Sequence, residues 1–181
     1  MLVLMWGSEV VDALSGVRLD QYGIEPRDID GLAGVVAAPF LHVGFGHLIS
    51  NTVPFVLMGA VIAAAGARRI LLVTAIVALV SGLGTWLVAP AGTIHLGASG
   101  VVFGYATYLI VRGIFSRRIA QLVVGALVVA LWGSALLAGL GPQDGVSWQG
   151  HLFGAIGGVV AARVLAVRER ERPTGGRAAA R

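Results

Sequence analysis

An all-α polytopic membrane protein with six spans is the fold class the sequence predicts, and three observations carry it. Of the 181 residues, 57% are hydrophobic and only 12% charged, with a mean hydropathy of +0.88; a soluble domain of this length needs more polar side chains to cover its surface. The apolar residues fall in runs near the roughly 18 to 20 residues a helix needs to cross hydrocarbon. Arginines cluster after every second run, as they do where helix ends meet the cytoplasm. All thirteen basic residues are Arg, and their place between apolar runs argues against a nucleic-acid partner despite a pI near 10.6. The absence of cysteine excludes disulfides, thiolate metal sites and cysteine nucleophiles.

The first segment, Met1 to Val17, carries Glu9 and Asp12 and as a helix would rise only about 25 Å against a ~30 Å core. It is expected to be a short first helix, ending in the interface or truncated at its start. Residues 18–39 read as a long polar loop with Gly and Pro, a length that often signals function. The second segment, Phe40 to Ala65, ends at Arg68 and Arg69; the third, Ile70 to Val88, stops before Pro90. The fourth, Leu96 to Val111, is followed by Arg112, Arg117 and Arg118; the fifth, Ile119 to Leu140, is closed by "GPQDG". The sixth, Trp148 to Val167, empties into a basic tail over 168–181 whose Pro, Gly and charge predict disorder. The arginines place both termini in the cytoplasm, so the second, fourth and sixth segments all begin on the opposite side. Trp6, Trp86, Trp132 and Trp148 include candidate interfacial anchors.

Those three beginnings hold the polar residues. "HVGFGHLISN" supplies His42, His47 and Asn51, "LGASGVVFGY" supplies Ser99, and "WQGHLFGAIGG" supplies His151. Ionisable groups inside a membrane are costly and usually functional. His47 and Asn51, four residues apart, share a helix face. On the same helix His42 would point roughly 140° away from His47, so it is not expected to act directly with the other two; a hydrogen bond to a loop carbonyl is the favoured reading. His95 is expected at the interface. Gly100 and Gly104, like Gly154 and Gly158, are spaced to let two helices approach closely, which would bring Ser99 within reach of His151. A hydroxyl beside a neutral imidazole is the minimum set for nucleophilic acyl transfer. No carboxylate is placed to complete a triad, so a dyad is expected. The Ser99 N–H with the side chains of His47 and Asn51 could stabilise the oxyanion. Phe103, one turn after Ser99, reads either as packing or as a ring stacked on His151.

Other readings compete. The Gly-x-Ser-Gly stretch fits a helix contact in a chain with 27 glycines. His42, His47 and His151 could cluster around a metal, but there is no His-Glu-x-x-His arrangement and no carboxylate to complete the shell; no metal and no cofactor is expected. Six helices with glycine breaks also suit a small-solute transporter, although the two halves show no internal repeat and no midplane charged pair.

"HVGFGHLISN", "GASGVVFG" and "GHLFGAIGG", in that order at the start of alternate segments, resemble the motifs of the rhomboid intramembrane serine proteases. The resemblance runs from about Gly31 to Arg112 and from Gly145 to Ala162. It implies a six-helix rhomboid-like bundle over residues 1–167, with Ser99 as nucleophile and His151 as general base. It also implies that His47 and Asn51 line the oxyanion hole and that His42 supports them. Gly97 and Gly100 belong to the Gly-x-Ser-Gly motif, and Gly154 and Gly158 match the small residues where the sixth helix meets the fourth. Phe103 stands where many members carry Tyr, keeping the ring without the hydroxyl, and the first loop lacks the Trp-Arg pair of many members.

The implied activity is that of a serine endopeptidase cutting peptide bonds in or near transmembrane segments. A non-proteolytic relative that binds membrane clients is the alternative. The expected partners are transmembrane protein substrates and the lipid bilayer. Arg without Lys, beside abundant Ala, Gly and Val, points to a GC-rich genome and hence a bacterial cell membrane, with the site facing away from the cytoplasm. The sequence carries no sign of oligomeric state.

Overall fold

The computed structural model describes residues 1–170. The chain is all α: α1 Leu2–Ser15, α2 Gly34–Ala37, α3 Gly44–Ala63, α4 Ala67–Val88, α5 Ser99–Ser116, α6 Ile119–Gly139 and α7 Trp148–Arg170. Among the described residues, five helices, α3 to α7, are long and apolar enough to cross a membrane. The protein is therefore a polytopic membrane protein. The first segment forms a helix of 14 residues, rising about 21 Å, which falls short of the five. α7 runs through Arg170, three residues beyond the expected end of the sixth segment; the expected disorder of the rest of the tail concerns residues outside those described.

Each helix ends where its sequence demands. α1 stops at Gly16, whose φ of 67° turns the chain out of the helix. α4 stops before Ala89 and Pro90, because a proline ring excludes the helical conformation of the residue before it. Pro54 lies inside α3, which membrane helices tolerate when neighbours satisfy the freed carbonyl.

The core is built around α5, which packs against α3, α4, α6 and α7. Ten of its eighteen residues are buried, against two of twenty-one in α6, so α5 is the axis of the bundle while most of α6 is left for lipid. The α5–α7 crossing is close because glycines face backbone: a Cβ on Gly154 would strike the Gly100 carbonyl, and one on Gly158 the Gly104 carbonyl. Thr107 Oγ1 donates across this crossing to the Ala155 carbonyl at 2.8 Å, and Ser81 Oγ ties α4 to the Gly150 carbonyl at 2.8 Å. The close approach expected of the fourth and sixth segments is present.

The segment over 18–39, read from sequence as a polar loop, is largely turns of helix: 3₁₀ turns at Leu19–Tyr22, Asp30–Ala33 and Ala38–Phe40 surround α2. Its Ile24, Val35 and Ala38 are buried against Trp86 and Leu96. The Trp86 indole donates to the Asp28 carbonyl at 2.8 Å. Its charged residues hid an apolar face, so the loop is a docked part of the fold. α1 is fastened to α3 and the chain before it by Ser8 Oγ donating to the Phe40 carbonyl at 2.6 Å and by Trp6 Nε1 donating to Thr52 Oγ1 at 3.2 Å. Met5 of α1 packs with Leu48 and Ala98, directly behind the start of α5.

Candidate active site

The N-terminal ends of α3, α5 and α7 meet around a cleft of about 1080 Å³ lined by His47, Asn51, Ser99, Phe103 and His151. Four of the residues singled out for chemistry and the aromatic ring expected beside them thus share one cavity. Gly100, which follows Ser99, lies against the carbonyl of Gly150, which precedes His151. Phe103, one turn on, stacks on the His151 ring, with centroids 4.0 Å apart and planes 6° from parallel. Of the two readings of Phe103, stacking is the one observed.

Ser99 is the first residue of α5. The chain entering it is pinned donor by donor: Gly97 N–H bonds the Ala38 carbonyl at 2.8 Å, and Ala98 N–H bonds His42 Nε2 at 3.3 Å. The next N–H, that of Ser99, has no intrahelical acceptor because it lies in the first turn of a helix. It stands at the positive end of the helix dipole, where developing negative charge is favoured. Gly97 has a φ of 111°, a conformation costly for any side chain, and a Cβ there would fall 2.9 Å from His47 Nε2. His47 therefore lies directly over the turn. Asn51 is buried, and its Nδ2 is a buried donor with no partner. A buried unsatisfied donor is costly, and this one belongs to a side chain lining the cleft.

His151 is buried, with Nδ1 2.7 Å from the Gly139 carbonyl. A carbonyl only accepts, so Nδ1 carries the hydrogen and Nε2 of the neutral ring keeps its lone pair. The ring is thus oriented by a main-chain oxygen.

His42 differs from its sequence reading. The helix begins at Gly44, after it, and Leu41 is extended, so the helical angle between His42 and His47 does not apply. The two rings are 5.1 Å apart, edge to face. His42 accepts the Ala98 N–H through Nε2, and the loop backbone at Phe40 lies beside the same ring. Burial, and then the neighbouring His47, push its pKa down to about 4, with the Phe40 backbone opposing. It is thus the neutral acceptor that this bond requires.

Sequence reasoning missed the Gly139 carbonyl, which no residue type announces. It also missed Ser147, a lining residue of the cleft whose Oγ lies 2.7 Å from His95 Nδ1. A signal existed: His95 precedes Ser99 by four residues, as Ser147 precedes His151. Among the described residues, no group of three or more His, Cys, Asp or Glu side chains is arranged to hold a metal ion.

Residues 30–168 match the family model described as the Rhomboid domain. The chain belongs to the rhomboid family. It is 44% identical over 188 aligned residues to "Uncharacterized protein Rv1337" of Mycobacterium tuberculosis, covering 99% of this chain and 78% of the relative. It is 42% identical to "Uncharacterized protein ML1171" of Mycobacterium leprae, covering 94% and 70%. A more distant rhomboid relative, 29% identical over 73% of this chain and 66% of its own length, is "Putative rhomboid protease YdcA" of Bacillus subtilis. These relatives are bacterial, and the matched region begins in the docked loop and takes in all five spans.

Proposed function

We propose that this rhomboid is an intramembrane serine endopeptidase, with Ser99 as nucleophile and His151 as general base. One observation carries the reading: the Gly139 carbonyl holds the His151 Nδ1 hydrogen, so the basic nitrogen is the one left for the cleft it shares with Ser99. His151 takes the Ser99 proton as the hydroxyl attacks the scissile carbonyl, then returns it to the leaving amine. The Ser99 N–H and the Asn51 amide, with His47 beside them, are the donors for the oxyanion. Water then releases the acyl group by the same proton exchange. The named relative from Bacillus subtilis lends the protease reading support from outside this chain.

In this reading α1 is the sixth membrane-embedded segment of a six-helix bundle, the termini are cytoplasmic, and the cleft opens toward the other side. The substrates are membrane proteins whose transmembrane segments unwind at small or helix-breaking residues. The test is cleavage of a transmembrane reporter substrate by purified protein in proteoliposomes, together with labelling by a fluorophosphonate. Ser99→Ala and His151→Ala should each abolish cleavage while the thermal unfolding midpoint stays within a few degrees of wild type. Ser99→Ala should also lose the label. Undiminished turnover in Ser99→Ala sinks the proposal; substrate capture without any cleavage by wild type favours a client-binding rhomboid instead.

A further inference from the structure

A third histidine outside the catalytic pair is held by polar contacts whose directions can all be assigned. His95 lies in the connection between α4 and α5, four residues before Ser99. Its backbone pairs with Ile24 in both directions, Ile24 N–H to His95 carbonyl at 2.8 Å and His95 N–H to Ile24 carbonyl at 3.0 Å. Its ring lies between two hydroxyls, Thr93 Oγ1 at 2.8 Å from Nε2 and Ser147 Oγ at 2.7 Å from Nδ1. Thr93 gives its hydrogen to the Pro90 carbonyl at 2.6 Å, so Thr93 Oγ1 accepts from His95, and Nε2 is the protonated nitrogen. Nδ1 therefore accepts, and Ser147 is its donor. Ser147 Oγ in turn accepts the Gly150 N–H at 3.4 Å, capping the first turn of α7. Burial pushes the His95 pKa down, which keeps the ring in the neutral form that can donate at one nitrogen and accept at the other.

We infer that His95 is a positioning residue that ties the turn carrying Ser99 to the cap of the helix carrying His151, through the Thr93–His95–Ser147 chain of hydrogen bonds. His95 stands four positions before Ser99, and Ser147 four positions before His151. The α5–α7 glycine crossing sets how closely the helices approach; the strut sets the relative height and rotation of their first turns. Loss of it lets the hydroxyl and imidazole drift apart, and a misplacement of about 1 Å costs up to about a hundredfold in rate.

This inference rests on the protease reading, and the experiment separates the two. Full-length protein in proteoliposomes is assayed for kcat, KM and fluorophosphonate labelling rate as wild type, His95→Ala, Ser147→Ala, the double variant, His95→Asn and His95→Gln. His95→Ala and Ser147→Ala should each lower kcat and labelling rate about tenfold or more, with KM within about twofold. The double variant should be no worse than the poorer single one, because both break the same chain. Asn, whose Oδ1 stands near the His Nδ1 position and accepts from Ser147, should recover most of the rate; Gln, which reaches instead toward Thr93, should not. Should His95→Ala fail to fold, the contrast between Asn and Gln carries the test. Full kcat in His95→Ala, multiplied losses in the double variant, or equal rates for Asn and Gln overturn the strut while leaving the protease reading standing. A wild type that neither cleaves nor labels at Ser99 overturns both.

Discussion

At the residue scale, the unpartnered Asn51 amide makes a sharp prediction. Its Nδ2 is buried without an acceptor, so Asn51→Ala removes an unsatisfied donor and should leave the unfolding midpoint unchanged or raised, while kcat falls about a hundredfold, the usual effect of losing one oxyanion donor. Parallel thermal melts and initial rates check it; a stability loss with full turnover contradicts it. A second concerns His42, neutral in the fold with a pKa of about 4. In the unfolded chain an imidazole titrates near about 6.5. Between these values the unfolded state binds the proton more readily, so stability should fall as pH drops from about 6.5 toward 4. His42→Gln, whose amide oxygen can still accept the Ala98 N–H, should flatten that part of the curve in detergent-solubilised protein. An equally steep decline in the variant would exclude His42 as a cause. The contacts of His42 and Ser147 were hidden in the sequence for different reasons. The first turned on α3 starting two residues later than His42, and helix starts without a capping side chain are poorly marked. The second depended on a contact between residues 52 positions apart.

At the scale of elements, the spans and the crossing of α5 with α7 were legible because hydropathy and glycine spacing speak directly about burial. Short α1, and the docked turns over residues 18–40, were less so, since their few buried side chains sit among exposed charges. The crossing predicts its own failure. Gly154→Val places bulk where the Gly100 backbone lies, and overpacking of this kind costs about 1–3 kcal/mol or more. It should lower the unfolding midpoint and abolish cleavage. Gly46→Ala, in the first turn of α3 with open space around the site, should be stable and active, and serves as the control. If Gly154→Val melted and cleaved like Gly46→Ala, the crossing would not be what joins the two halves of the site.

For the whole molecule, the arginine pattern predicts topology. Arg68 and Arg69 lie in the first turn of α4, Arg112 near the end of α5, and Arg117 and Arg118 just after it, so a reporter fused after Arg181 should be active only in the cytoplasm and one inserted after Val17 only outside it. The reverse result would place the cleft on the cytoplasmic face. The site itself is assembled from three helix beginnings and one helix ending, the Gly139 carbonyl of α6 against His151. Because that oxygen is part of the main chain, every amino acid supplies it equally. No point replacement removes the acceptor itself; the anchor is lost only through added bulk, which at Gly139 would press on Phe103 and His151, or through a shift of the peptide. Inherited variation at this position therefore acts by crowding rather than by deletion, which leaves glycine as the residue best suited to it.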